Sequence, residues 1–183
     1  MKIGIDVSQV VYEGTGVGRY VRELIPLVIK LSPHDDFVLF GASLGQKQKL
    51  RAFMDEMEKK YSNVHVVMVS LPLSVLDICW NIFHIVPISV FTGPLDIFWS
   101  SDWVQPPLGN IKGITTIHDV SFLRFPKSFH KKIIAVQKRR LDKAKKECSF
   151  FICDSEATKS DVLHYYAIPE NKCTVVYPGY HAE

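Results

Sequence analysis

The sequence contains no G-x-G-x-x-G and no GK[ST], and its seven histidines are scattered without ligand spacing. The first two absences exclude a dinucleotide fingerprint and a P-loop. The scattered histidines leave no metal centre to expect. Cys79, Cys148, Cys153 and Cys173 form no C-x-x-C pair, so buried free thiols in a reducing compartment are expected rather than disulfides. Internal repeats and low-complexity tracts are absent too. With 47% apolar and 22% charged residues among 183, disordered and fibrous classes are excluded, and the length suits one large domain with a sizeable core. The chain opens directly on an apolar-alternating strand, so no leader is expected.

An uninterrupted apolar run of spanning length is also missing. The closest approach is Leu71 to Phe91, which Asp77, Asn81, His84 and Pro87 interrupt. A spanning helix would bury those polar groups in hydrocarbon. The segment reads as a buried or interface helix ending near Pro87.

What is present is alternation. Short β-rich runs fall at Lys2–Val7, Phe37–Phe40, Val64–Val69, Asp96–Ser100, Gly113–Ile117, Ser149–Cys153 and Thr174–Tyr177. Helical periods lie between them, at Gly18–Leu31, Leu44–Lys60, Leu73–Ile85, Phe129–Glu147 and Glu156–Tyr166. Strands alternating with long helices build βαβ units, and near-continuous apolar runs such as FVLF, VHVVMV and FFIC suit strands buried on both faces. The expected fold is a doubly wound, mainly parallel, Rossmann-like α/β domain. Ligands of such sheets bind beyond the carboxyl ends of the strands. That singles out Asp6 with the glycine loop, Gly41, Ser70, Ser100 to Trp103, His118 with Asp119, Ser155, and Pro178-Gly179.

The glycine loop, EGTGVGRY from Glu13 to Tyr20, spaces its glycines as G-x-G-x-G, opens seven residues after Val7, and has no acidic partner after the second strand. A dinucleotide site needs a tighter turn and that partner. Two readings remain: a turn whose glycines serve only φ > 0, or a backbone that meets a ligand at Gly16 and Gly18, with an anion at the helix N-terminus. His118, at the end of the strand GITTI, could donate a hydrogen bond to a sugar hydroxyl; a lone histidine is otherwise an ordinary core or surface residue.

Charge is sparse overall, at +3, but uneven: Lys127 to Lys146 carries nine Lys/Arg and only Asp142, a local +8 against −5 elsewhere. Lys131, Lys138 and Lys145 recur every seven residues, as do Lys132, Arg139 and Lys146. Phe129, Ile133, Val136, Leu141, Ala144 and Cys148 mark the opposite face of an amphipathic helix. The stripe is either a solvated outer face or a surface for anionic headgroups or a phosphorylated acceptor. Nucleic acid is disfavoured, since no aromatic residues interleave with the stripe.

Four segments, in order, resemble the N-terminal domain of GT-B glycosyltransferases of family 4, in the mannosyltransferase-like, retaining branch: KIGIDVSQVVYEGTGVGRYVREL, LDIFWSSDWVQPP, TTIHDVSFLRFPKSF and CDSEATKSDVLHYYAIPENKCTVVYPG. The resemblance implies transfer of a hexose, mannose among the candidates, from a nucleotide-sugar to a glycan or lipid-linked acceptor. The anomeric configuration would be retained, with no cofactor and no obligatory metal. It implies His118 as the catalytic contact to the sugar and Gly16 and Gly18 beside the donor. Tyr12, Arg19 and Trp103 would lie on the acceptor side, with Lys131, Lys138 and Lys145 as membrane or anion contacts. The domain would occupy residues 1–178, with 179–183 starting a linker to a donor-binding second domain. That second domain has no counterpart here, so the isolated chain is expected to be inactive. The expected setting is cytoplasmic, with the inner face of the membrane as a possible station. Two other readings stay open: a stand-alone α/β binding module for a phosphorylated ligand, and a membrane-docking domain.

Overall fold

Seven strands pair in parallel, in the order β3-β2-β1-β4-β5-β6-β7. The computed structural model describes residues 1–179; apart from Gly179, the expected linker lies outside them. The strands are β1 Lys2–Asp6, β2 Asp36–Ala42, β3 Val64–Val69, β4 Ile97–Ser100, β5 Lys112–Ile117, β6 Cys148–Cys153 and β7 Cys173–Val175. Strand order reverses between β1 and β4, which pair through Ile3–Ile97 and Ile5–Trp99. This is the doubly wound Rossmann-like fold that the alternation predicts.

Period-two alternation divides the core. Ile5, Phe37 and Leu39 face helices α1 (Gly16–Leu31) and α2 (Lys47–Lys60). Val38, Phe40 and Phe98 face the other way, onto Leu76, Trp80 and Ile88. Those three come from the segment holding α3 (Leu73–Leu76), a π-helical stretch Asp77–Ile82, and the start of α4 (Ser89–Thr92). The expected single helix over Leu73–Ile85 is thus a short α turn widened into a π turn, with His84 and Val86 at positive φ.

At the β5–β7 end, α5 (Ser121–Arg124), α6 (Lys131–Glu147) and α7 (Glu156–Tyr166) complete the fold. There Ile117, Phe151 and Cys153 pack with Leu141, Ala144 and Val162 on one face. Strand register puts Ile114, Phe150 and Ile152 on the opposite face, where Phe150 is 40% exposed. FFIC is therefore apolar on both sides but covered on one among the described residues.

Local signals set the helix starts. Thr15 caps α1 by accepting from Gly18 N–H, and Ser155 caps α7 by accepting from Thr158 N–H. In α1, Val21, Ile25 and Ile29 are buried at four-residue spacing, and Pro26 is tolerated inside the helix. All four cysteines are free; Cys148, Cys153 and Cys173 are buried and Cys79 partly so. No described helix is long and apolar enough to cross a membrane.

Candidate functional site

The topological switch point becomes a cleft because the segments leaving β1, β4, β5 and β6 converge there. After β1 the chain makes a 3-10 turn, Ser8–Val11. Asp6 Oδ1 accepts from Ser8 N–H at 2.9 Å and Ser8 Oγ–H at 2.5 Å, and Ser8 Oγ in turn accepts Ala42 N–H. This chain of bonds fixes the β1 exit against β2. Burial pushes the Asp6 carboxyl above its ordinary value, and the Ser8 donors partly offset that.

His118 follows β5. Its Nδ1 lies 2.6 Å from Asp154 Oδ2, on the residue after β6. The ring of Tyr20, in the first turns of α1, meets the imidazole edge-on at 4.9 Å, and Thr158 Oγ1 donates to the His118 carbonyl. Asp154 and Tyr20 therefore orient the half-buried ring, and Thr158 holds the backbone that carries it. Because Asp154 only accepts when ionised, Nδ1 carries the proton and Nε2 is left for a ligand.

Below the ring, Asp102 follows β4 and is partly open to the cleft, while its Oδ1 is buried without a hydrogen-bond partner among the described residues. Burial raises its carboxyl, and the charges of His118 and Arg140 draw it down. Arg140 is 1% exposed. Its Nη2 donates to the carbonyls of Ser101 and Thr116 and to Thr115 Oγ1, joining the β4 and β5 exits. Burial lowers the guanidinium and Asp102 counters this. Two adjoining cavities, the larger about 130 Å³, share Val17, Asp102, Thr116 and His118 as walls.

The sequence-derived candidates divide. His118 lies in the cleft. Gly16 lines neither cavity; it precedes Val17, which lines both, and has open space where a Cβ would be. As the first two residues of α1, Gly16 and Val17 have N–H groups with no intrahelical acceptor. Gly18 has a different reason to be glycine: a Cβ there would stand 2.4 Å from the Tyr12 carbonyl, and its N–H is already taken by Thr15. Tyr12 and Arg19 are exposed and line neither cavity. Trp103 is turned away, packing against the Leu76–Trp80 cluster while its carbonyl accepts Asn81 Nδ2. Lys131, Lys138 and Lys145 are exposed on α6.

The basic stripe itself is smaller than the sequence suggests. Arg140 is in the core, and Arg139 pairs with Asp77 at 2.9 Å. Tyr20, Asp154 and Arg140 were not singled out by sequence reasoning, although Asp154 obeys the carboxyl-edge rule as directly as Ser155. Among the described residues no group of three or more His, Cys, Asp or Glu side chains could hold a metal ion.

A parallel sheet in this order, with a polar cleft over its switch point, defines a Rossmann-like ligand-binding domain. The chain belongs to glycosyltransferase family 4, whose model matches residues 14–183. It is accordingly a glycosyltransferase domain, with the architecture of the N-terminal half of a GT-B fold. No curated protein matches the chain.

Proposed function

We propose that this domain is the acceptor-binding half of a retaining hexosyltransferase that uses a nucleotide-sugar donor, with a glycan or lipid-linked acceptor. The observation that carries the reading is His118, held by Asp154 and Tyr20 so that Nε2 is available in a cleft lined by Val17, the residue after Gly16 at the start of α1. That pairing suits a sugar hydroxyl against the imidazole and donor phosphate oxygens against the helix N-terminus. Donor recognition belongs to a second domain in this reading, so the 183-residue chain binds nucleotide-sugar weakly and does not turn it over. The test is transfer from labelled nucleotide-sugars by a protein that includes the second domain, with product anomer assigned by NMR. His118→Ala is expected to abolish transfer, and turnover by the 183-residue chain alone would refute the division of labour.

A second reading, an anion-binding module, draws on the same Gly16 and Val17 amides. Micromolar nucleotide binding by this chain in calorimetry would favour it over the transferase half. Membrane attachment through Lys131, Lys138 and Lys145 is the third; vesicle binding that fails on charge reversal of those three and survives Gly16→Val would support it.

A further inference from the structure

The segment between β3 and β4 exposes an unusual amount of apolar surface. Leu76 and Trp80 are buried, yet Val75, Ile78 and Ile82 repeat at helical spacing on the outer side and are all exposed. Phe83 and Ile85 extend this row at 66% and 52% exposure. Soluble proteins rarely leave such a contiguous apolar patch to water without a use for it.

The backbone holds these side chains outward at a cost. His84 has φ 55° and Val86 φ 62°, and a β-branched residue there is strained. Four hydrogen bonds maintain the turn: Phe83 N–H to the Ile78 carbonyl, Ile85 N–H to the Cys79 carbonyl, Trp80 Nε1–H to the Val86 carbonyl, and His84 Nδ1–H to the Trp80 carbonyl. His84 Nε2 also meets Glu147 Oε1 at 2.8 Å, which ties the turn to α6. The patch is a built feature, not a frayed loop.

Its border is basic. Arg139, Lys143 and Glu147 form one four-residue ridge of α6, and the two ends of that ridge hold Asp77 and His84. Lys143 between them, and Lys146 seven residues from Arg139, therefore flank the apolar patch. Two neighbouring carboxylates are spent, Asp77 on Arg139, and Glu147 on His84 and Leu108 N–H; Asp142, one turn before Lys146, is the exposed acid of this part of α6. Lys131, Lys138 and Lys145 lie roughly a quarter-turn or more further round the helix.

We propose that Val75, Ile78, Ile82, Phe83 and Ile85 insert into the headgroup–acyl boundary of an anionic bilayer, with Lys143 and Lys146 against its lipid phosphates. An apolar face rimmed by lysine is the composition of interfacial docking. A second copy of the chain is the poorer occupant, because two-fold pairing would press the same basic rim against itself. Asn81, in the π turn, bonds the Trp103 carbonyl and Gln105 N–H in the segment after β4, so the docked patch is fastened to the stretch that directly follows Asp102 of the cleft. An acceptor carried on a lipid would then be presented beside His118; this last step rests on the transferase reading, while the docking does not.

The test is sedimentation of the 183-residue chain with phosphatidylglycerol/phosphatidylcholine vesicles and with phosphatidylcholine alone. Binding is expected to need the anionic lipid, to fall more than about tenfold in Ile82→Ser/Phe83→Ser, and to weaken with salt and in Lys143→Glu/Lys146→Glu. Both pairs are at the surface, and retained circular dichroism would verify folding. Unchanged vesicle binding by Ile82→Ser/Phe83→Ser overturns the proposal, as does loss confined to Lys131→Glu/Lys138→Glu/Lys145→Glu. A concentration-dependent dimer that the serine pair dissolves also overturns it, by making the patch a self-interface. If docking holds but vesicles bearing extracted lipid acceptors give no transfer with the two-domain protein, the acceptor reading fails and the docking surface stands.

Discussion

The Nδ1 of His118 lies 2.6 Å from Asp154 Oδ2, and the two residues leave adjacent parallel strands at the same sheet edge. The carboxylate sets the tautomer and the plane of the ring, so Asp154 acts as a positioning residue. A charge-assisted bond of this kind contributes about 1.5–3 kcal/mol, so Asp154→Asn is expected to slow transfer about ten- to hundredfold. The accompanying readout is the ¹⁵N spectrum of His118 in this chain: the Nδ1–H population should fall. An unaltered ring spectrum with slowed transfer would assign Asp154 another role.

Gly16 and Gly18 are expected to respond oppositely to a methyl group. Gly18→Ala forces Cβ against the Tyr12 carbonyl and is expected to cost about 1–3 kcal/mol, as overpacking does. Gly16→Ala meets open space and should leave the thermal midpoint unchanged or slightly higher. Gly16→Val in the two-domain protein should abolish transfer with this domain still folded. Equal destabilisation by both alanines would show that the loop packs differently.

Arg140→Met removes the donor shared by Ser101, Thr115 and Thr116 and leaves Asp102 without its buried countercharge. Leaving buried acceptors without their donor costs about 1–3 kcal/mol. Urea unfolding should show a loss of that order, and Asp102→Asn on the Arg140→Met background should restore part of it. Strict additivity in that double-mutant cycle would mean the two charges do not interact.

Asp6 is an acid whose folded value is raised by burial above its ordinary 3.8. The folded state therefore binds its proton more tightly than the unfolded chain, and this group's contribution to stability declines as pH rises from about 3.8 through the folded value. Asp6→Asn keeps an oxygen for the Ser8 donors and removes the buried charge. Its stability should match or exceed the parent at neutral pH and fall less over that interval. Identical pH profiles in guanidinium unfolding would count against this.

Cys148 and Cys153, with thiols pushed up to about 12 by burial, should resist alkylation in the folded chain, while the more open Cys79 labels first. Mass spectrometry after brief iodoacetamide treatment reads the order directly.

The sheet was legible because strand runs and helical periods alternate over most of the chain; the strand order itself comes from the structure. The α3 segment was not: its periodicity reads as one helix, and the widening at Asp77–Ile82 answers to Trp80, Asn81 and His84 finding tertiary partners. His118 was found from its place after an apolar strand. Arg140 was hidden because a lysine-rich helix reads as a solvated face, and periodicity alone cannot say which cation of a row turns inward. Trp103 shows the converse: it follows β4 as a cleft residue should, yet core packing beside Trp80 claims its ring.

The seam between β1 and β4 also has a history in time. Ile3 finds Ile97, 94 residues further on, whereas β1 and β2 meet across a single helix. Closing the longer loop costs more entropy before any contact repays it. The cleft opens above this late seam, so ligand competence and completion of the sheet should arrive together during refolding. Pulsed hydrogen exchange should then find the β2 amides protected before those of β4, with His118 gaining its Asp154 bond only in the final phase.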